Sequence, residues 1–272
     1  MSYLTEPVPA YGSATLVGAG IRRIVAPNPS LMTYHGTNTY LIEDRDGVIV
    51  IDPGPNVQSH IDAILAATAG KVGKILLTHT HFDHLEACMP LKEATGARTF
   101  AFERSACETF TPDVPLADGD VIAGMQALHT PGHASDHICY ARTDGILFSG
   151  DHVMSWSSTV VSPPLGDMDA YCANLRRLLA REDTMYLPGH GPPLPEPQSY
   201  VRNLLNHREE RERAILDMLR AGTRDPAQLA EVLYANRDIR LRRAAERNVI
   251  SHLLKLKKEG LVRQKDEEWQ AI

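Results

Sequence analysis

The run LLTHTHFDHLEA (residues 76–87) places His79, His81, Asp83 and His84 within six positions. No other stretch constrains the chain as strongly. Imidazoles and carboxylates are poor core fillers, and so many together predict a shared cation. A catalytic metal takes about three protein ligands and keeps one position open for water. Residues further along must therefore come back to this segment, which requires a compact fold.

Three later segments offer the missing donors. They are HTPGHASDH with His133, LFSGDHV with Asp151, and YLPGHGP with His190, each at an expected strand end beside glycine. Glycine there permits a sharp turn and close backbone approach. The set is then five histidines and two aspartates, about what two ions sharing one carboxylate need. Zn2+ is the first choice for imidazole and carboxylate with an open position, and iron and manganese suit the same donors.

Up to about residue 190 the chain alternates short apolar runs with turns and a few helices. TNTYLIE (37–43) and GVIVID (47–52) predict a hairpin around Asp46-Gly47. VQSHIDAILAATAG (57–70) predicts a helix capped by Gly70. KILLT (74–78) is a short buried strand that delivers the His-rich segment at its end. RTFAF, VIAGMQALHT, HICYA and GILFSGD read as further strands, and 168–182 as a helix. GPPLPEPQS (191–199) reads as a semi-rigid connector. Three helical segments and a short hairpin then make a winged-helix pattern. Residues 1–201 hold 12 Lys/Arg and 22 Asp/Glu, whereas 202–272 hold 16 and 12, so the balance moves from −10 to +4. That shift marks a domain change near 200. The four cysteines lack CxxC spacing, and neither a secretory pattern nor a membrane-length apolar run is found. A cytoplasmic setting with reduced thiols and no membrane contact is expected.

HxHxDH at 79–84, followed in order by His133, Asp151 and His190, resembles the metallo-β-lactamase superfamily, as does VIVIDPG at 48–54. The resemblance covers about residues 15–200. It implies an α/β (α+β) fold, a four-layer αβ/βα sandwich with a small C-terminal winged-helix-like domain. The domains would be 1–200 and 201–272. It also implies roles. His79, His81 and His133 would hold one metal, Asp83, His84 and His190 the other, and Asp151 would bridge them. GTNTYLI, TPGHASDHICY, SGDHVMSWSSTVV and the trailing HREERE are similar to the β-lactamase-like protein 2 branch. Where many relatives carry two glycines after the DH pair, this chain has Glu86 and Ala87, a change expected at the floor or rim of the cleft.

Other residues attract narrower expectations. Asp52 is expected to hold a ligand from behind, or to serve the turn of IDPG, rather than to bind metal. His152 should face away from Asp151 if both lie on a strand, with a substrate-facing position as the alternative. Trp156, Tyr34 and Asn38 are candidates to line the substrate cleft. Residues from about 207 onward are expected across one edge of that cleft. The reaction class is hydrolysis by a dinuclear, metal-bridging hydroxide, with Asp83 orienting the water. The branch resemblance implies a phosphodiesterase acting on single-stranded RNA, and because the first domain is acidic the phosphate contacts would come from the basic final helix, from Arg242, Arg243 and Arg247. The alternative enzyme hydrolyses a thioester or another small carbonyl compound. The alternative of another class is a winged-helix regulator that binds nucleic acid, which the intact donor set argues against.

Overall fold

The computed structural model describes residues 3–272 except Thr223 and Arg237. Its first sheet runs in sequence order: β1 (Thr15–Gly18), β2 (Ile21–Val25), β3 (Asn38–Asp44), β4 (Gly47–Ile51), β5 (Val72–Leu76), β6 (Arg98–Phe102) and β7 (Val114–Leu116). Pairs from β1 to β4 are antiparallel. Those from β4 to β7 are parallel. Helix α1 (Gln58–Thr68) crosses from β4 to β5, and α2 (Phe82–Leu85) and α3 (Cys88–Thr95) lie between β5 and β6.

The second sheet has the order β13-β12-β11-β10-β9-β8. Its strands are β8 (Val121–Ile122), β9 (Met125–His129), β10 (Ile138–Arg142), β11 (Ile146–Gly150), β12 (Met185–Pro188) and β13 (Leu194–Pro195). Helix α4 (Met168–Leu179) is the crossover that lets β11 and β12 pair in parallel.

Alternation along the strands assigns the layers. In β4, Ile49 and Ile51 face the second sheet, where they meet Tyr140 and Phe148. Val48 and Val50 face the other way, against Ile64 of α1 and Leu91 of α3. In β11, Leu147 points outward to α4 and α5 (Pro197–Arg220), while Phe148 points inward. Helix, sheet, sheet, helix is the four-layer sandwich expected.

The expected domain change near 200 falls inside α5. Its first turns bury Tyr200, Val201, Leu204 and Leu205 on the second sheet. Its last turns bury Ile215 and Leu219 in a separate core with α6 (Pro226–Leu233), α7 (Arg242–Lys258), β14 (Val262–Lys265) and β15 (Glu268–Ala271). One helix thus ties both units. Asp225 and Gln228 close a capping box at the start of α6, with Pro226 in its first turn. Three local expectations need correction. The cap of α1 is Ala69, with φ 50°, followed by Gly70 at φ 69°. The run 121–130 is two strands, because Ala123 and Gly124 both take positive φ and turn the chain. The proline-rich 191–199 is not a free connector: it contains β13, paired with β12, and the start of α5.

Candidate metal centre

Asp52, the 79–84 segment, Asp151 and His190 follow directly on β4, β5, β11 and β12, and His133 lies between β9 and β10. Ligands gather at the carboxyl ends of parallel strands because the loops there converge. Gly189 makes the convergence tight. A Cβ at that position would sit 2.4 Å from Asp151 Oδ1 and 2.7 Å from His84 Cε1.

Hydrogen bonds behind the rings decide which nitrogen faces the centre. Thr78 Oγ1 donates to Asp52 Oδ2 at 2.7 Å, so at 3.0 Å it accepts from His79 Nδ1. His133 Nδ1 donates to the carbonyl of Val160 at 2.8 Å, His84 Nδ1 to Asp52 Oδ2 at 2.9 Å, and His190 Nδ1 to the carbonyl of Gly36 at 3.2 Å. When neutral, these four rings therefore present a bare Nε2 inward. Yet His79 Nε2 lies 2.9 Å and His133 Nε2 3.0 Å from His81 Nδ1, and His84 Nε2 lies 3.3 Å from His190 Nε2. Lone pairs packed this closely repel unless something positive lies among them. Metal–nitrogen bonds of about 2.0–2.1 Å give ligand–ligand edges of roughly 3 Å. The donor set therefore fits metal.

The carboxylates point the same way. Asp83 Oδ2 is 3.2 Å from His190 Nε2, and Asp151 Oδ2 is 3.5 Å from His190 Nε2 and 3.6 Å from His133 Nε2. Asp151 Oδ1 is buried with no hydrogen-bond partner among the described residues. Three groups form, each with donor atoms within 4.8 Å of one another: His79, His81 and His133; His79, His84 and Asp151; Asp83, His84 and His190. Proton affinities divide the histidines. Burial, then neighbouring imidazoles, push His79 far down and His81 down to about 3. Burial also works against a proton on His84, but Asp83, Asp52 and Asp151 outweigh it and lift the ring to about 9. His190 rises too, as Asp151 and Asp83 overcome its burial. Without a metal, protons on these two rings balance the buried carboxylates.

The structure brings together all seven expected ligands. Asp52 stands behind them, bound to Thr78 and His84. The cleft is a cavity of about 890 Å³ that opens beside His81, Asp83, His133, Asp151 and His190. Trp156 lines it. Tyr34 does not: its ring stacks on Trp156 at 5.0 Å, and its hydroxyl is tied to the backbone of Glu6. Asn38 is buried rather than at the rim, because its amide donates to the carbonyls of Pro188 and Gly191, on either side of His190. His152 is fully buried beside His137 and Tyr171, in a turn rather than a strand, so it faces no substrate. Glu86 lies outside the cavity, exposed, and accepts a long bond from the Asn56 N–H, while Ala87 is buried. From the C-terminal unit, Arg243 and Arg247 of α7 line the cavity, with Arg240 just before the helix, and Arg242 does not.

Three contributors were not singled out by motif. His137 Nε2 accepts the backbone N–H of Asp151 at 3.2 Å. Arg208, buried in α5, donates to the carbonyl of Thr159. Asn248 accepts from the N–H of Val161. His137 and Arg208 at least lay inside quoted motifs, TPGHASDHICY and HREERE, whereas Asn248 lies on a helix with no local signal.

The chain belongs to the metallo-β-lactamase superfamily, whose family pattern matches residues 32–190, and a beta-lactamase associated winged helix domain matches 226–269. Family, fold and donor set make it a metal-dependent hydrolase. It is 32% identical to the beta-lactamase-like protein 2 homolog of Drosophila melanogaster over 92% of each chain. It is 28% identical to the atrochrysone carboxyl ACP thioesterase AgnL7 of Paecilomyces divaricatus, over 77% of this chain and 68% of that one. The fold matches a beta-lactamase domain protein from Burkholderia ambifaria with a TM-score of 0.85 at 21% identity, covering 98% of this chain and 96% of the other.

Proposed function

We propose that the chain is a dinuclear metal-dependent hydrolase of an acyl compound with an anionic portion, a thioester before an oxygen ester. One observation carries this reading. The cavity that opens on the donor cluster exposes mostly apolar surface, to which Leu31, Met32, Trp156, Val160 and Leu165 contribute, and Arg243 and Arg247 line it as well. Such a lining suits an acyl or aromatic body, with a few polar groups fixing its orientation. Guanidinium groups suit a phosphate or carboxylate at the substrate's other end. The thioesterase name of one relative adds support.

Zinc is the first choice of metal, and these donors also accept iron or manganese. One ion would be held by His79, His81 and His133, the other by Asp83, His84 and His190, with Asp151 serving both. When bound, such a pair supplies a water of lowered pKa and a Lewis acid for the scissile carbonyl. The chain's own contribution is positional. The back-side bonds keep each Nε2 lone pair facing the centre, and Asp83 turns Oδ2 to His190 and leaves Oδ1 to accept a hydrogen bond from the attacking water. Trp156, backed by Tyr34, holds the apolar part of the substrate beside these groups.

The arginines also suit the phosphates of single-stranded RNA, which the test includes. Metal-loaded protein is assayed on an acyl-CoA, a neutral acyl thioester and single-stranded RNA. Metal-dependent hydrolysis of the thioesters, faster for acyl-CoA, is expected. Cleavage of RNA alone overturns the acyl reading.

A further inference from the structure

Residues 159–162 belong to no helix or strand, yet four successive residues are held from outside the segment. Arg208 Nη2 of α5 donates to the carbonyl of Thr159 at 2.5 Å. His133 Nδ1 donates to the carbonyl of Val160 at 2.8 Å. The N–H of Val161 donates to Asn248 Oδ1 of α7 at 3.0 Å. Arg247 Nε donates to Ser162 Oγ at 2.9 Å.

The carbonyl of Val160 and the N–H of Val161 belong to one peptide group. That group is planar and rigid, with its C=O and N–H directed oppositely in the trans form. His133 therefore grips one end of the plane and Asn248 the other. A rotation of the plane that frees Asn248 also turns the carbonyl away from His133 Nδ1. The two bonds also polarise each other through the amide, so each is stronger with the other present. Asn248 is buried, and its side-chain orientation is fixed because the N–H of Val161 can only donate.

We infer that Asn248 is a positioning residue for the metal centre: through the Val160–Val161 peptide, the winged-helix unit sets the ring orientation and tautomer of His133. The C-terminal unit thus helps build the site, besides walling the cleft. This rests on the reading of His133 as a metal ligand. Arg208 supports the neighbouring peptide, and Thr159 Oγ1 donates to the carbonyl of Asp151 at 2.6 Å, so the same segment also touches the bridging position.

The test measures cobalt(II) affinity of metal-stripped protein by chelator competition, with the cobalt absorption spectrum of the filled sites. Partners that orient metal-bound histidines are worth about 10- to 100-fold in affinity, and Asn248 acts one bond further out. Asn248→Ala should weaken one of two binding steps about tenfold and alter the spectrum of that site, with the other step unchanged. Asn248→Asp keeps the acceptor for the Val161 N–H and should bind within about threefold of wild type. Leu253→Ala, which removes a buried side chain of the C-terminal core only, should lower thermal stability and leave both steps alone. Should the alanine variant not fold, Asn248→Leu, of similar shape without the acceptor, carries the same expectation. The inference is overturned if the alanine or leucine variant binds both ions as wild type does, if the aspartate variant is as weak as these, or if Leu253→Ala reproduces the loss. Wild-type protein that binds no cobalt removes the metal reading itself, and this inference with it.

Discussion

On the sandwich side of the cavity, four inward-facing histidines have their outer nitrogen tied: to Thr78, Asp52, Val160 and Gly36. On the helical side, Arg240 pairs only with the exposed Asp238, and Arg243 has no partner among the described residues. The first wall is preorganised: its geometry is set before any ligand arrives, as chemistry at a fixed point requires. At Arg240 and Arg243 the second is adaptable, able to meet a charge at variable position, whereas Arg247 and Asn248 are tied to Ser162 and Val161. On the proposed reading, reaction class is written in one wall and substrate choice in the other. Relatives sharing the first wall can differ in what they hydrolyse.

The largest effect should come from the residue most central to the first wall. Asp151 lies within 3.6 Å of His84, His133 and His190 donor atoms, so it serves both proposed sites. Asp151→Ala should lower metal content from near two per chain to near zero and reduce hydrolysis at least about 10³-fold. Elemental analysis after dialysis checks the first and steady-state assays the second. Retention of one tightly held ion would mean that the two sites are built independently.

The two walls also differ in how much of them the sequence discloses. The expected ligands on the first wall were legible because four of them crowd into residues 79–84 and the other three follow in order, each beside a glycine. His79 through His190 could be found without knowing where the chain turns. Their supports were less legible. Asn38 reads locally as a loop polar residue, and only the meeting of β3 with β12 puts it under the carbonyls of Pro188 and Gly191. His152 follows a ligand in sequence, but the chain leaves its strand at Gly150, so alternation no longer applies there. On the second wall, the basic character of α7 was visible, but which arginines reach the cavity was not. That depends on the crossing of α7 over the sandwich, and Arg243 and Arg247 are one turn apart on the lining face while Arg242 is off it. Nothing in the local sequence marks Asn248, whose partner is 87 residues away.

An intermediate effect should come from behind the first wall. His60 is buried, and its Nε2 donates to Thr39 Oγ1 at 2.9 Å, whose own hydroxyl donates to the carbonyl of Asp52 at 2.7 Å. Burial pushes the ring down to about 4 from an ordinary 6.5. The folded state then binds fewer protons than the unfolded chain between these values, so stability rises with pH through that window. The contribution is intact above pH 6.5 and lost as pH falls towards 4, reaching about 3 kcal/mol. Urea unfolding of metal-stripped protein between pH 4 and 7 should give a shallower pH slope for His60→Gln than for wild type. Parallel slopes would show that the acid sensitivity of this wall lies elsewhere.

The smallest effect should come from the adaptable wall, and it separates the two walls most cleanly. Arg243 is exposed and makes no bond within the described protein. Arg243→Ala therefore leaves no acceptor stranded, and stability should change by no more than about 0.5 kcal/mol. A long-range attraction to an anionic substrate would go. An exposed charge pair contributes roughly 0.2–1 kcal/mol, so KM for acyl-CoA should rise only about two- to fivefold at low salt. Because such an attraction is screened over about 8 Å at physiological ionic strength, the difference between variant and wild type should shrink as salt is added. A neutral thioester gives the contrast: its KM should be the same for both proteins, and on either substrate kcat should match between variant and wild type, since nothing touching the donor cluster has moved. Equal increases in KM for charged and neutral thioesters would mean that Arg243 acts through the shape of the cavity, and the assignment of charge recognition to this wall would then fail.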